Sequence, residues 1–180
     1  MLEETEFISK LKSEETKDAA FKKLISLYHK RLYWHIRKMV FNHDDSDDVL
    51  QNAFIKIYKN IHLFKGESKL YSWMYRIATN EAITFINKKA KRSGFTSEEL
   101  KQHSLNSLEA DVYFDGTEIQ LKLQKAIASL PEKQQLVFNM KYFDDLTYEE
   151  LSEILDTSVG ALKSSYHIAV KKITALLTEN

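Results

Sequence analysis

An all-α fold is predicted for this chain of 180 residues by three features of its sequence. The chain contains 4 glycines and 1 proline, too few for the turns of a strand-rich protein. Apolar residues recur at spacings of three and four, which is the period of a helix face. Hydrophobic residues make up 43% of the chain, enough to build a packed core. We therefore expect helical bundles.

Three long helices are predicted in the first half of the chain. The first covers AAFKKLISLYHKRLYWHIRKMV, and the second covers DDVLQNAFIKIYKNIHLF, with Ser46 or Asp47 as its N-cap. A loop around Gly66 leads to the third, which runs from about Leu70 to Lys91 and ends in the basic run NKKAKR. One strip along this third helix comprises Leu70, Trp73, Met74, Ile77, Glu81, Thr84 and Phe85.

A polar, acidic segment from Ser93 to about Gly116 then interrupts the helical pattern. We interpret it as a linker with room for short helical turns, so that residues 1–92 and 118–180 form two domains joined by residues 93–117. Residues 1–92 carry 18 Lys and Arg against 12 Asp and Glu, whereas residues 130–180 carry 5 against 8. A basic first half is typical of a protein that binds a polyanion.

Four helices are predicted after the linker: TEIQLKLQKAIASL, PEKQQLVFNMKYF, LTYEELSEIL and VGALKSSYHIAVKKITALL. Thr147 and Glu150 form a capping-box pair, and Ser158 is the expected N-cap of the last helix. A short helix, a tight turn and a longer helix form a helix-turn-helix pattern. Its expected buried positions are Leu151, Ile154, Val159, Leu162 and Ile173. A helical hairpin that never touches DNA has similar spacing, so both interpretations stay open at this point.

The last helix begins with small and polar residues, which suit a helix that enters the major groove. Lys171 and Lys172 lie further along it and can meet phosphates. The candidate duplex-binding residues are Ser158, Gly160, Ala161, Lys163, Ser164, His167 and Lys171.

The segment NHDDSDD at residues 42–48 has three possible roles. Asp44, Asp45 and Asp48 match a DDxxD spacing that binds magnesium diphosphate in isoprenoid enzymes, but no second metal motif accompanies them. Acidic residues at a helix start also favour the helix dipole. In the third role, Asp47, Asp48, Gln51 and Asn52 form a protein-binding face while Val49, Leu50, Ala53 and Phe54 are buried.

The segment FKGESKLYSWMYR at residues 64–76 interleaves four aromatic residues with three cations. Trp73 shares a helix side with Met74 and Ile77, which favours packing. Phe64 stands beside Gly66 in a loop, where a large aromatic has less reason to be buried. Unpaired nucleic acid is bound by rings that stack on bases and by cations that follow the backbone. Asn80 adds an amide that can bind a base edge.

Two long segments together resemble a known family. Residues 44–92, with the motifs FKGES and SWMYRIATN, look like region 2 of a bacterial sigma factor of the extracytoplasmic-function group, in the sigma-70 family. Residues 130–173, with LPEKQQLVF and TYEELSEIL, look like its region 4. The resemblance covers roughly residues 18–177 and implies a non-enzymatic subunit that directs RNA polymerase core to promoters and assists DNA melting.

The resemblance also implies roles for individual residues. Region 2 would dock on the beta-prime clamp helices of polymerase through Asp47, Asp48, Gln51, Phe54 and Lys56. It would bind the minus-ten element through Phe64, Lys65, Gly66, Ser68, Lys69, Tyr71, Trp73, Arg76, Asn80, Lys88, Lys89 and Arg92. Region 4 would meet the beta flap and bind the minus-thirty-five element with the helix from Ser158. An anti-sigma factor would sequester the protein until a signal arrives.

One departure from the family pattern concerns the last helix. Many family members carry arginines at the positions of Ser165 and Ile168, whereas this helix has none, so bidentate guanine contacts are not expected. Two alternatives are kept: a stand-alone helix-turn-helix regulator and a magnesium-dependent isoprenoid enzyme. We expect no cofactor, no bound metal and no catalytic residue.

The chain lacks cysteine, a signal-peptide pattern and any apolar run near the roughly 18 residues of a membrane span. The sequence therefore predicts a cytoplasmic protein without membrane insertion.

Overall fold

The computed structural model describes residues 2–106 and 117–178, and these residues form nine α-helices and one short 3-10 helix with no strand. The predicted all-α class is confirmed. In order, the α-helices are α1 Leu2–Lys12, α2 Lys17–Val40, α3 His43–Asn60, α4 Leu70–Ser93, α5 Ser97–Asn106, α6 Glu118–Ala128, α7 Glu132–Tyr142, α8 Tyr148–Leu155 and α9 Val159–Thr178. The 3-10 helix Ile61–Leu63 lies between α3 and α4. Within the described residues, no helix has both the length and the apolar character needed to cross a membrane.

Helices α1 to α4 build the first bundle. The largest fully buried side chains of this bundle come from all four helices, including Leu11, Leu24, Ile36, Ile57 and Met74. Helix α3 begins earlier than the sequence predicts. Its N-cap is Asn42, whose side chain accepts a hydrogen bond from the Asp45 amide at 2.9 Å, so the prediction of Ser46 or Asp47 is wrong.

The buried face of α4 coincides only in part with the strip from Leu70 to Phe85. Trp73, Ile77 and Phe85 are only partly buried and Thr84 is exposed, whereas Tyr75 and Thr79 are buried. The cause is a polar contact with α2: Nε2 of the buried His35 lies 2.9 Å from the Thr79 hydroxyl, and its ring packs on Tyr75. The buried face of α4 therefore contains the polar groups of Tyr75 and Thr79 beside the apolar strip of Met74, Ala78 and Ala82.

Helices α6 to α9 form the second bundle. Thr117 and Gln120 close a capping box on α6, and the predicted capping box of Thr147 and Glu150 is present on α8. Asp156 ends α8 in the left-handed conformation, and Ser158 Oγ accepts from the Ala161 amide at 3.4 Å at the start of α9. Of the five predicted buried positions, Leu151, Ile154, Leu162 and Ile173 are buried, and Val159 is half-buried.

The two bundles pack directly on each other. One apolar cluster contains residues of α2, α3 and α4 together with Leu136, Val137 and Met140 of α7, Leu151 and Ile154 of α8, and Leu162 of α9. Helix α5 lies in the segment predicted as a linker, and its Leu100 is buried. Helix α8 lies against α4, which places the second bundle over the segment FKGESKLYSWMYR.

Candidate nucleic-acid interface

Phe64 lies at the start of the candidate interface, but it does not project into solvent. Its side chain is 3% exposed, and its ring centroid lies 5.4 Å from that of Trp73. Nζ of Lys12, on the unpredicted helix α1, donates a hydrogen bond to the Phe64 carbonyl at 2.5 Å. The expectation that a loop position leaves this aromatic residue exposed is therefore wrong, because α1 covers the loop.

The loop that follows Phe64 is exposed at Lys65, Gly66 and Glu67. Gly66 has a φ of 77°, in the left-handed region where other residues are strained, so the sharp turn depends on this glycine. Ser68 is half-buried and Lys69 is exposed. The loop thus presents two lysines beside the buried Phe64 and the half-buried Trp73.

One strip along α4 continues from this loop. Trp73 is half-buried, and Arg76 and Asn80 are exposed. Their spacings of three and four place them on one face of the helix. Tyr71 is half-buried beside the strip, with Lys69 Nζ 5.7 Å from its ring centroid. The strip combines a ring, a cation and an amide, which are the groups needed to hold unpaired bases.

Glu150 of α8 reaches this strip. Its Oε1 accepts from Lys69 Nζ at 2.8 Å, and the Tyr71 hydroxyl also interacts with its carboxylate. Burial alone would raise the pKa of Glu150, but the interactions with Lys69, Tyr71 and Thr147 outweigh burial and lower the pKa to about 2. Burial and the Glu150 carboxylate raise the pKa of Tyr71. Glu150 is therefore ionised at neutral pH.

The basic end of α4 is largely exposed. Lys88 and Arg92 are exposed, as is Lys91 between them. Lys89 is half-buried and forms an ion pair with Asp45 of α3. This pair engages one carboxylate of the DDxxD spacing, and no group of three metal-binding side chains occurs within the described residues.

The predicted polymerase-binding residues lie on α3. Asp48 and Gln51 are exposed, and Asp47 is half-buried with its carboxylate 3.5 Å from His43 Nε2. Phe54 is buried and packs edge-on against Phe21, so it offers little surface to a partner. Lys56 is exposed and forms an ion pair with Glu81.

A groove beside these α3 residues includes aromatic side chains of α2 that sequence reasoning missed. Trp34 is 46% exposed, and with His29 and Tyr33 it lines the groove next to Asp47 and Gln51. The sequence LYWH contains Tyr33 and Trp34, but the helical period placed only Leu32 and His35 of this stretch in the core and gave no role to the other two. An exposed tryptophan beside a predicted docking face marks a further candidate contact.

The candidate duplex-binding residues lie on the outer side of the helix-turn-helix. All seven are exposed: Ser158, Gly160, Ala161, Lys163, Ser164, His167 and Lys171. Lys163 Nζ lies 5.7 Å from the ring centroid of Tyr148 on α8. Leu162 and Ala169 are buried on the opposite side and hold the helix in place.

Comparison with known proteins agrees with this two-part arrangement. The model of sigma-70 region 2 matches residues 24–92, and the model of sigma-70 region 4 matches residues 120–173. The ECF RNA polymerase sigma factor SigW of Bacillus subtilis is 32% identical over 157 residues, with 82% of this chain and 83% of that protein covered. The chain belongs to the ECF sigma factors. A sigma factor is a transcription initiation factor that binds RNA polymerase core and promoter DNA, not an enzyme.

Other matches extend this result. The ECF RNA polymerase sigma-E factor of Haemophilus influenzae is 29% identical to this sigma factor, with 81% and 80% of the two chains covered. The solved structure of CnrH in complex with the cytosolic domain of CnrY superposes with a TM-score of 0.72 at 19% identity, covering 97% and 96% of the chains. The sigma factor RpoE of Bartonella quintana, in complex with the anti-sigma factor NepR, gives a TM-score of 0.68 at 18% identity, covering 89% and 98%.

The family assignment decides between the functions left open by the sequence. The isoprenoid-enzyme alternative fails, since sigma factors are not enzymes. The stand-alone regulator fails as well, because a sigma factor acts as a subunit of polymerase.

Proposed function

We propose that this sigma factor recognises two elements of a promoter through the residues described above. Residues 1–92 dock on the beta-prime clamp helices through Asp48 and Gln51 and hold the unpaired minus-ten strand on the α4 strip. Residues 118–180 meet the beta flap and place α9 in the major groove of the minus-thirty-five element. Residues 93–117 connect the two, and the protein works in the cytoplasm.

The observation that carries this proposal is the outer face of α9. All seven residues predicted for duplex binding are exposed there, while apolar residues of the same helix pack inward. Small residues at the start of the helix allow close approach to DNA, and Lys163 and Lys171 supply charge for phosphates. The absence of arginine on this helix suits modest duplex affinity, which the tether to polymerase offsets through a raised effective concentration.

The minus-ten part of the proposal is tested with Asn80→Ala. Asn80 is exposed, so its loss removes a hydrogen-bonding amide without opening a cavity. We expect promoter opening by the reconstituted holoenzyme to fall by about five- to tenfold, the effect of about 1–1.5 kcal/mol. Run-off transcription and the melting temperature are measured together. An equal loss in both, or no loss in transcription, contradicts a direct role in DNA binding.

We further propose that an anti-sigma factor holds this protein inactive. Two structurally similar proteins were solved in complexes: CnrH with the cytosolic domain of CnrY, and the sigma factor RpoE with the anti-sigma factor NepR. The tagged chain is purified from its own cells, and each protein recovered with it is added to run-off transcription. We expect one of them to abolish promoter-specific transcripts. Undiminished transcription with every recovered protein contradicts this part of the proposal.

A further inference from the structure

Helix α8 covers the α4 strip that is proposed to hold the minus-ten strand. Trp73 and Arg76 line one cleft with Ser152, Glu153 and Asp156 of α8. Arg76 and Asn80 line a second cleft with residues at the end of α8 and the start of α9. Arg76 and Asn80 are exposed at the mouths of these clefts, whereas Trp73 and Tyr71 are half-buried and Lys69 is bound by Glu150 of α8. A DNA strand that contacts all of these residues at once therefore has to displace α8.

The Glu150 carboxylate occupies the polar centre of this contact. It accepts a hydrogen bond from Lys69 and interacts with the Tyr71 hydroxyl, and both residues are assigned to the DNA strand. A carboxylate and a phosphate are both anionic oxygen acceptors, so either can bind a lysine and a tyrosine hydroxyl. Glu150 is fixed in place because it is also the third residue of the α8 capping box.

A second contact holds the bundles together at the turn between α7 and α8. The Asp144 carboxylate lies 2.5 Å from Lys38 Nζ and 3.2 Å from His35 Nδ1. Arg31 donates to the Asp144 carbonyl at 3.3 Å. The side chains of Asp144 and His35 are 7% and 1% exposed, so this contact lies inside the seam between the bundles.

Some buried polar side chains at the seam between the two bundles lack a hydrogen-bond partner among the described residues. Side-chain atoms of Gln135 and Asn139, one turn apart on α7, are buried and find no hydrogen-bond partner among the described residues. A buried polar group without a partner is less stable than the same group in water. Gln135 lines a cavity shared with Met39 of α2 and Ile86 of α4, and opening the seam would expose it to water. The closed arrangement thus contains groups that favour separation.

We infer that the packed arrangement is a self-inhibited state, in which α8 occupies the α4 strip and Glu150 takes the place of a DNA phosphate against Lys69 and Tyr71. This inference rests on the proposed roles of those residues. The α3 residues Asp48 and Gln51 and the outer face of α9 are exposed in the same arrangement. Polymerase can therefore bind before the two bundles separate, and their separation exposes the α4 strip to DNA.

The first test is Glu150→Gln in the full chain. Glutamine keeps the capping box but removes the charge that binds Lys69. We expect the holoenzyme carrying E150Q to open a promoter about two- to fivefold faster, the effect of up to 1 kcal/mol from an ion pair whose lysine is exposed. Glu149→Gln is the matched control, since it removes the same charge from the exposed neighbouring position. Equal rates for E150Q and wild type, or equal gains in E150Q and E149Q, overturn the inference.

The second test leaves Glu150 intact. The chain contains no cysteine, so Glu67→Cys and Glu153→Cys, both lining the cleft between loop and α8, provide the two thiols of a double variant. A short bismaleimide with a cleavable disulfide links them. We expect the linked protein to lose about tenfold or more in promoter opening, because the competent state is no longer populated, and to regain it after cleavage of the linker. Single-cysteine variants treated alike are the controls.

The outcomes separate the two proposals. A linked protein that opens promoters at the rate of the cleaved one overturns self-inhibition while leaving the proposed DNA contacts intact. If wild-type chain with core polymerase gives promoter-specific transcripts but N80A is as active as wild type, the proposed minus-ten contacts fail and the inference falls with them.

Discussion

Asp48 shows how a single exposed carboxylate can be tested as a docking residue. It lies on α3 with Gln51, next to the groove that contains Trp34. We expect Asp48→Arg to weaken binding to RNA polymerase core by about tenfold or more, since reversing a charge at an interface costs several kcal/mol. Affinity for core polymerase is measured with a fluorescently labelled chain.

The control for this substitution is Glu15→Arg, an equal charge reversal at an exposed position in the turn before α2. E15R should bind core polymerase as wild type does. The helix content and melting temperature of both variants should stay close to wild type, because surface substitutions away from buried groups rarely exceed about 0.5 kcal/mol. Unchanged core affinity in D48R would contradict the docking assignment.

Phe64 shows where residue-level prediction from sequence failed. Its neighbours Lys65 and Gly66 mark a loop, and the loop is present. Its burial depends on Lys12 and the rest of α1, which are more than 50 positions away in the chain. Local pattern contains no information on that contact. The assignment of Phe64 to minus-ten binding stays a prediction, now for a ring that supports Trp73 rather than one that projects to a base.

At the scale of elements, helices with clear apolar periodicity were predictable, whereas α1 was not predicted and the buried face of α4 was predicted only in part. Helices α2, α3, α4 and α6 to α9 follow clear periodic patterns. Helix α1 contributes a buried Leu11 and was not predicted, although with 11 residues it is as long as α6 and α7. Helix α4 is buried on a polar side through Thr79 as well as on its apolar side, which broadens the strip beyond what periodicity indicates.

The capping box of α8 allows a prediction about that helix as a unit. Thr147→Ala removes the side-chain acceptor of the Glu150 amide and should destabilise the helix by about 1 kcal/mol. Because α8 carries Glu150, its first turn should fray and release Lys69. Hydrogen exchange of the α8 amides should therefore accelerate, and promoter opening by the holoenzyme should rise.

Thr117→Ala is the matched control for this element. It breaks the equivalent capping box of α6, which does not contact the α4 strip. A similar loss of stability is expected, without faster promoter opening. If T117A and T147A raise promoter opening equally, general destabilisation rather than release of the strip is responsible.

At the scale of the whole molecule, the packing of the two bundles could not be predicted from sequence. The residues joined across the seam, such as Lys38 and Asp144, are 106 positions apart and share no local pattern. The acidic excess of residues 130–180 is consistent with a surface that packs on the basic first half. The exposed faces of α3 and α9 needed no such long-range information, since their periodicity alone separated outer from inner residues.

The buried Asp144 contact predicts how the stability of the whole molecule depends on pH. Burial would raise the pKa of Asp144, but His35 and Lys38 outweigh it and hold the pKa below its ordinary value of 3.8. A carboxyl with a lowered pKa in the folded state adds stability above its unfolded pKa. This stability is lost as the pH falls through the lowered value, where the folded protein takes up the proton.

Asp144→Asn should therefore reduce the free energy of unfolding by about 3–5 kcal/mol at pH 7, since it leaves Lys38 buried without its partner carboxylate. The difference between the variant and wild type should shrink as the pH falls below about 3.8 toward the lowered pKa, because Asp144 becomes neutral in wild type as well. Urea unfolding followed by circular dichroism at several pH values measures both effects. The neighbouring Asp145→Asn is the control, because Asp145 is exposed and asparagine tolerates its left-handed φ of 53°. A pH-independent difference for D144N, or an equal loss in D145N, would show that the Asp144 carboxylate does not hold the seam.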